Sequence, residues 1–276
     1  MLFKGFVSSH YANFWLERSG HLLSVRKMKR MIRNVRDYFA YRIFSYLNGN
    51  ESFQFIIDRR PDFHLDFKSI QNFGELYESW IRGNSKINSV DISRFYFIYL
   101  NILHVMKDGI DGDVAEIGVY RGNSASILAS VARKYGRTTY LFDTFEGFDS
   151  RDLKGVDSKV RQDFTSTSLE RVESVVGTRD VVFVKGFFPE SAKEIAMPKR
   201  FAVLHIDCDL YEPIKASLAA FYPLMSPGGV IIIHDYSSGH WLGATKAVDE
   251  FFHNKPEKPV LMPDKSGSAV VRIRSA

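Results

Sequence analysis

The chain has 276 residues, 45% of them hydrophobic and 25% charged, with 37 Lys and Arg against 32 Asp and Glu. That balance suits a globular protein with a sizeable core and excludes a disordered, collagen-like or disulfide-scaffold chain. The single cysteine, Cys208, has no intrachain disulfide partner, so no oxidising compartment is called for and a cytoplasmic location is expected.

The net charge of +5 and pI of 9.1 point at first to a polyanion or a membrane surface. The charge is concentrated, however. Residues 1–50 hold nine Lys/Arg against two Asp/Glu, and the remaining 226 hold 28 against 30. Within this stretch Val25, Met28, Ile32, Val35, Phe39, Ile43 and Tyr46 recur at spacings of three and four, the pattern of one apolar helix stripe. Arg26, Lys27, Lys29, Arg30, Arg33 and Arg36 fill positions between them. Residues 1–50 are therefore expected to form a basic amphipathic helical extension. Such a helix can lie on an anionic membrane through residues 24–47, sit on a polyanion, dock on its own domain, or join a second subunit in a homo-oligomer. An organelle transit peptide shares the Arg-rich, acid-poor composition, but the stripe continues too regularly for one. Met1 to Leu23 lacks the clean apolar core of a secretory signal. The longest apolar stretch, Phe95 to Met106, is broken by Asn101 and His104 and is far short of the ~20 residues a bilayer needs.

Residues 51–108 read as a helical lid or cap region. Phe73 to Ile81 is a helix candidate, and Asp91 can cap a buried helix starting at Ile92. From 109 to 276 strands alternate with helices. Strands are expected at Val114–Ile117, Thr138–Phe142, Val181–Val184, Phe201–Ile206 and Val230–Ile233. Helices are expected at Ser124–Lys134, from a Thr167/Glu170 capping box to Val176, at Glu212–Leu224 and at Gly243–Phe252. Val260–Met262 and Ala269–Ile273, joined by a Pro263-to-Gly267 turn, read as a hairpin. This alternation predicts an α/β fold, a doubly wound and mostly parallel sheet ending in an antiparallel hairpin. Ligands then bind beyond the carboxyl ends of the strands.

Three motifs fall at those ends. In Glu116-Ile117-Gly118-Val119-Tyr120-Arg121-Gly122-Asn123-Ser124, Gly118 permits a tight turn and Gly122 a close backbone approach. The spacing is not the dinucleotide fingerprint, which argues against a nicotinamide oxidoreductase. An acid at the strand end, Glu116, can instead hold the ammonium of S-adenosylmethionine, and Tyr120 and Arg121 can reach that cofactor's carboxylate or a substrate. In Asp143-Thr144-Phe145-Glu146-Gly147-Phe148, the Asp143 carboxylate can accept both ribose hydroxyls of an adenosyl group. In Asp207-Cys208-Asp209-Leu210-Tyr211-Glu212 and His234-Asp235-Tyr236, Asp207 and Asp235 end successive strands and can converge. Oxygen ligands suit Mg²⁺, and the imidazole of His234 moves the preference toward Mn²⁺ or a later metal. Such a cation could bind vicinal hydroxyls and ease deprotonation of one of them. Asp209 is expected to cap the following helix, Cys208 and His205 to be core residues, and His240 and Trp241 to lie over the pocket.

In this order these motifs, with Asp91-Ile92-Ser93-Arg94 and Ser226-Pro227-Gly228-Gly229, resemble the macrocin O-methyltransferase family of class I S-adenosylmethionine-dependent enzymes. The resemblance implies a seven-stranded Rossmann-like sheet and methylation of a hydroxyl on a sugar, glycosylated metabolite or glycan. It implies cofactor contacts at Glu116, Gly118 and Asp143, extended here to Tyr120, Arg121, Gly122, Ser124, Thr144, Phe145 and Gly186. It implies a divalent metal, Mg or Mn, at Asp207 and Asp235 with His234 between, and catalytic roles for Asp207 as general base and for His234. The family usually has paired aspartates where this chain has His234-Asp235, so His234 can also be read as a base without a metal. Nucleic acid is not an expected partner, because the main domain is nearly neutral and has no Asn/Asp-Pro-Pro-aromatic motif. The competing reading is a non-catalytic cofactor-binding protein recruited to a membrane or polyanion by its basic helix.

Overall fold

The computed structural model describes residues 72–84, 90–262 and 264–274, together with individual helical positions between 28 and 43. Val25 and Tyr46 of the apolar stripe, the segment before it, all of residues 44–71 and Pro263 of the hairpin turn lie outside the described residues. The chain divides into two compact units, Met1–Arg59 and Arg60–Ala276. In the first, Met31, Ile32, Val35, Tyr38, Phe39 and Ile43 lie at helical positions or at spacings that continue them, and each is at least half exposed.

The second unit is built on five parallel strands, β1 (Asp113–Ile117), β2 (Thr139–Asp143), β3 (Val181–Lys185), β4 (Phe201–Ile206) and β5 (Met225–Ile233). Two more, β6 (Val260–Leu261) and β7 (Ala269–Arg272), complete a sheet of order β3-β2-β1-β4-β5-β7-β6, with β7 antiparallel to both neighbours. The helices are α1 (Phe73–Asn84), α2 (Ile92–Lys107), α3 (Asn123–Lys134), α4 (Leu169–Val176), α5 (Tyr211–Phe221) and α6 (Leu242–Phe252). β4 is buried along its whole length, as expected of a central strand covered on both faces. On one face α1, α2 and α3 pack Trp80, Phe95, Tyr99 and Ile127 over Val114, Val203 and Ile232. On the other, α5 and α6 pack Leu218, Phe221, Val248 and Phe252 over Ile117, Leu204 and Ile231.

The expected strand and helix positions agree with the structure to within a few residues, with instructive exceptions. β5 begins at Met225, so the Ser226–Gly229 stretch read as a helix stop lies inside the strand, where its pairing with β4 is irregular. The expected helix end at Leu224 is a separate 3₁₀ turn, Tyr222–Leu224, whose second residue is a proline without an N–H to donate. The expected boundary at residue 109 is absent. The described part of the predicted cap region belongs to the main unit, because α2 is apolar nearly all round and buries Phe95, Ile98, Tyr99, Ile102 and Leu103 in the sheet's own core. Thr167 does not open α4; Ser168 does, accepting from the Arg171 N–H at 3.2 Å.

Register fixes the functional edge. Ile117 pairs with Phe142 on one side and Ile206 on the other, and Ile206 pairs with Ile233. Gly118, Asp143, Asp207 and His234 therefore emerge at one level. The connection from β1 runs outward to β2 while β4 lies on β1's opposite flank, so a crevice opens between them. Among the described residues no helix is long and apolar enough to cross a membrane.

Candidate active site

A cavity of about 420 Å³ occupies that crevice. Its first wall is the turn between β1 and α3. Gly118 has φ +83°, and a Cβ there would lie 2.2 Å from the Asp207 carbonyl oxygen, so only glycine lets the two strand ends approach. Asp143 holds the turn in place. Its Oδ2 accepts from the N–H groups of Val119 at 2.6 Å and Tyr120 at 3.0 Å, and its Oδ1 from that of Phe145 at 2.7 Å. The carboxylate thus rigidifies the same loop that its remaining lone pairs face. Tyr120 and Arg121 both tie to Ser166, the tyrosine hydroxyl at 2.8 Å and the guanidinium to Ser166 Oγ at 2.6 Å. This fastens the segment before α4 over the cavity mouth.

Of the ten positions expected to meet a cofactor, Gly118, Tyr120, Arg121, Ser124, Asp143, Thr144 and Gly186 line the cavity. The other three do not. Glu116 is fully buried beneath the floor, where its Oε1 lies 2.7 Å from His205 Nδ1 across the β1–β4 pairing. Burial raises its pKa, with His205 pulling the other way. Strand alternation explains this: Ile117 and Gly118 intervene before the chain turns. Gly122 faces Val172 and Val176 of α4. Phe145 sits with Val119, Leu141 and Val172 in a separate core cluster. His205 is a core histidine, as expected, and Cys208, half-buried, packs against the core as expected while also lining the cavity.

The opposite wall carries the charge. Asp207, His234 and Asp235 place one potential ligand atom each within 4.8 Å of one another. His234 Nδ1 is 2.7 Å from both Asp207 Oδ1 and Asp235 Oδ2. Neither contact has hydrogen-bond alignment, and Nε2 is also without a hydrogen bond, so the contacts are electrostatic. Three donor atoms converging without hydrogen-bond alignment, two carboxylate oxygens and one imidazole nitrogen, make a set that fits a divalent cation. Asp207 Oδ2 is held separately by the buried guanidinium of Arg94, on the first turn of α2. Burial would raise the Asp207 pKa, but Arg94 and His234 outweigh it and hold the carboxyl below the usual range. Burial and Arg94 press the imidazole down, yet the two carboxylates hold it up to about 9. Arg94 itself is placed by Asp91, whose Oδ1 accepts the Arg94 N–H at 3.4 Å and caps α2.

Asp209 does not cap α5. The helix starts after Leu210, and Asp157, from a distant loop, accepts the Tyr211 N–H at 2.7 Å instead. Asp209 lines the cavity, where burial and the neighbouring Asp207 and Asp235 raise its pKa well above the usual value. One side of the cavity is aromatic. Trp241 and His240 line it as expected. Trp241 meets Phe148 edge-on at 5.8 Å, Phe148 meets Phe164 at 5.0 Å, and Phe164 meets Tyr120 at 5.1 Å. Phe148, Phe164 and Arg94 have no role assigned from the sequence. Phe148 and Arg94 each close a named motif there, Asp143-to-Phe148 and Asp91-Ile92-Ser93-Arg94, and Phe164 has no such signal.

Residues 92–270 match the family model described as Macrocin-O-methyltransferase (TylF). The chain belongs to this family. A curated member-like relative, the 8-demethyl-8-(2,3-dimethoxy-alpha-L-rhamnosyl)-tetracenomycin-C 4'-O-methyltransferase of Streptomyces olivaceus, is 35% identical over 147 residues, covering 48% of this chain and 56% of that one. Mycinamicin III 3''-O-methyltransferase of Micromonospora griseorubida is 31% identical over 48% of this chain and 58% of its own length. The chain thus matches little more than half the length of these relatives. Among solved structures the O-methyltransferase NovP superposes with TM-score 0.58 and 25% identity, over 67% of this chain and 81% of that one. The S-adenosylhomocysteine-bound methyltransferase PaMTH1 of Podospora anserina shares the fold, with TM-score 0.51 at 15% identity, over 86% of this chain and 96% of that one. The fold is the Rossmann-like fold of class I methyltransferases.

Proposed function

We propose that this chain transfers the methyl group of S-adenosylmethionine to a hydroxyl of a sugar or glycosylated metabolite, assisted by a divalent cation. The observation that carries the reading is one cavity with two differently built walls, a backbone-lined turn around Asp143 and a charged cluster at Asp207, His234 and Asp235. The methyl donor supplies an electrophilic carbon on a sulfonium. Gly118, Asp143 and the Tyr120–Arg121 loop would position it along the first wall. The Phe148–Phe164–Trp241 wall offers ring faces and edges on which a sugar or its aglycone can pack.

In this reading Asp207 orients the acceptor hydroxyl and takes its proton. Arg94 keeps the carboxylate ionised but also makes it a weak base. A weak base suffices here. The hydroxyl oxygen gains positive charge as the new C–O bond forms and the S–C bond breaks, so its proton becomes strongly acidic at that moment. Positioning the two reactants in line therefore contributes much of the rate. Asp207 Oδ1, His234 Nδ1 and Asp235 Oδ2 would hold the cation, which supplies Lewis acidity toward vicinal hydroxyls. The imidazole favours Mn²⁺ or a later metal over Mg²⁺.

Calorimetric titration with S-adenosylhomocysteine tests the cofactor half, with micromolar-range binding expected; absence of heat and of competition by S-adenosylmethionine refutes it. For the acceptor half, methyl transfer to deoxysugar glycosides should fall on EDTA treatment and return with Mn²⁺ more fully than with Mg²⁺. Full activity in EDTA removes the cation from the mechanism.

A further inference from the structure

We propose that the helix around residues 28–43 is an interfacial anchor for an anionic lipid bilayer. The inference goes beyond the methyl-transfer reading and does not depend on it.

Two observations meet in this segment. First, Met31, Ile32, Val35, Tyr38, Phe39 and Ile43 are each at least half exposed, and together they supply six of the eleven large exposed hydrophobic side chains among the described residues. Their spacing of three, four and one puts most of them along one stripe of a helix. Single exposed apolar residues need no explanation, but a continuous stripe of this size marks a surface that is covered in use. Second, residues 1–50 carry nine Lys/Arg against Glu17 and Asp37, whereas the rest of the chain is close to neutral.

The combination selects among occupants. A nucleic acid or another soluble polyanion would satisfy the cations but leave six large apolar side chains in water. A second copy of the helix could cover the stripe. It would also bring two strongly basic segments side by side with too few acids to offset them, and like charges at such a seam are repulsive. An anionic bilayer meets both needs. The stripe enters the boundary between headgroups and acyl chains, to a depth of roughly 5–10 Å, and the cations remain among the anionic headgroups. Tyr38 suits that depth, since its amphipathic ring favours the headgroup level, and Phe39 belongs to the face that enters the acyl boundary.

The test is co-sedimentation of the full-length protein with vesicles of phosphatidylcholine alone or of phosphatidylcholine and phosphatidylglycerol at 7:3. Binding is expected to the mixed vesicles at 0.1 M salt, to be far weaker with phosphatidylcholine alone, and to be largely lost at 1 M salt. Arg30→Gln with Arg33→Gln should weaken it by about 5-fold per residue. Ile32→Ser with Phe39→Ser leaves the charge unchanged and should weaken it at least ~10-fold through lost apolar burial. S-adenosylhomocysteine binding, measured in parallel, should be the same in all three proteins and reports an intact main unit. Three results overturn the proposal. One is no binding to mixed vesicles. Another is binding that the serine variant retains in full, which identifies a charge-only contact with polyanions. The third is a concentration-dependent dimer, dissolved by the serine variant, in a protein that ignores vesicles.

Discussion

Two aspartates stand at equivalent strand ends of one sheet edge, and their surroundings are opposite. Asp143, the last residue of β2, is surrounded by backbone and accepts three N–H groups from Val119, Tyr120 and Phe145. Asp207, after β4, is held by a buried arginine and faces a buried histidine and a further carboxylate. The first uses its charge to shape a loop. The second belongs to a largely buried cluster of Arg94, His234, Asp207 and Asp235 on the cavity wall. Residue type and register are the same, so the difference comes from what the flanking elements deliver: a glycine turn after β1, and an α2 N-terminus and a histidine-ended β5 around β4.

The contrast is broken most sharply at Arg94. Arg94→Leu leaves Asp207 buried without its guanidinium, and removing one partner of such a pair costs roughly 3–5 kcal/mol. Urea denaturation in EDTA should show a loss of that size; a loss below about 1 kcal/mol would mean that solvent or His234 alone satisfies Asp207. On the other wall, Asp143→Ala strips the acceptor from three N–H groups. Each orphaned donor costs about 1–3 kcal/mol where it is buried. The turn should loosen, and S-adenosylhomocysteine affinity measured by calorimetry should drop roughly 100-fold or more. Unchanged affinity would show that the turn holds without its carboxylate.

The pH dependence separates the two walls again. The His234 pKa is raised from 6.5 to about 9, so in the metal-free protein its contribution is fully present below pH 6.5 and is lost as pH climbs to about 9. Within that window the slope is roughly 1.4 kcal/mol per pH unit. Asp207 has the opposite sign, because its pKa is lowered from 3.8: its contribution is present above that value and is lost as pH falls below it. Stability curves in EDTA for the native chain and His234→Gln should therefore converge above pH 9 and diverge toward neutrality. Parallel curves across pH 6.5–9 would show that the imidazole is neutral in the cluster.

How much of this was legible in the sequence depended on how far each partner lies along the chain. Strand ends, the Gly118 turn and the placement of Asp143, Asp207, His234 and Asp235 at one edge follow from period and punctuation, which are local. The Arg94–Asp207 pair spans 113 residues and the Glu116–His205 pair 89, and no local pattern announces either. Glu116 shows the cost most directly. It sits one residue before the end of β1 and two before Gly118, which reads as a ligand-facing acid, yet it lies within the strand and pairs across to His205 of β4. Asp209 departs from its expected role for the converse reason. An aspartate just before a helix reads as its cap, but that role was already taken by a residue the sequence gives no cause to place there.

That residue yields the finest version of the comparison. On the wall nearer Asp143, α4 is capped locally by Ser168, three residues from the N–H it accepts. On the wall nearer Asp207, Asp157 accepts the Tyr211 N–H from 54 residues away and is also packed on the start of α6, where a Cβ on Gly243 would lie 2.3 Å from its carboxylate. Burial raises the Asp157 pKa while the N–H groups of Tyr211 and Gly243 pull it down, so one carboxylate serves two helix starts. Ser168→Ala should cost about 1 kcal/mol, the ordinary worth of a local cap. Asp157→Ala should cost about twice that, and on the proposed function it should also lower the affinity for acceptor, since the cavity-lining Asp209 and Trp241 lie just before α5 and α6. Equal losses for the two variants, with acceptor affinity unmoved, would mean that the remote cap holds only one helix and that the acceptor wall is set by β4 and β5 alone.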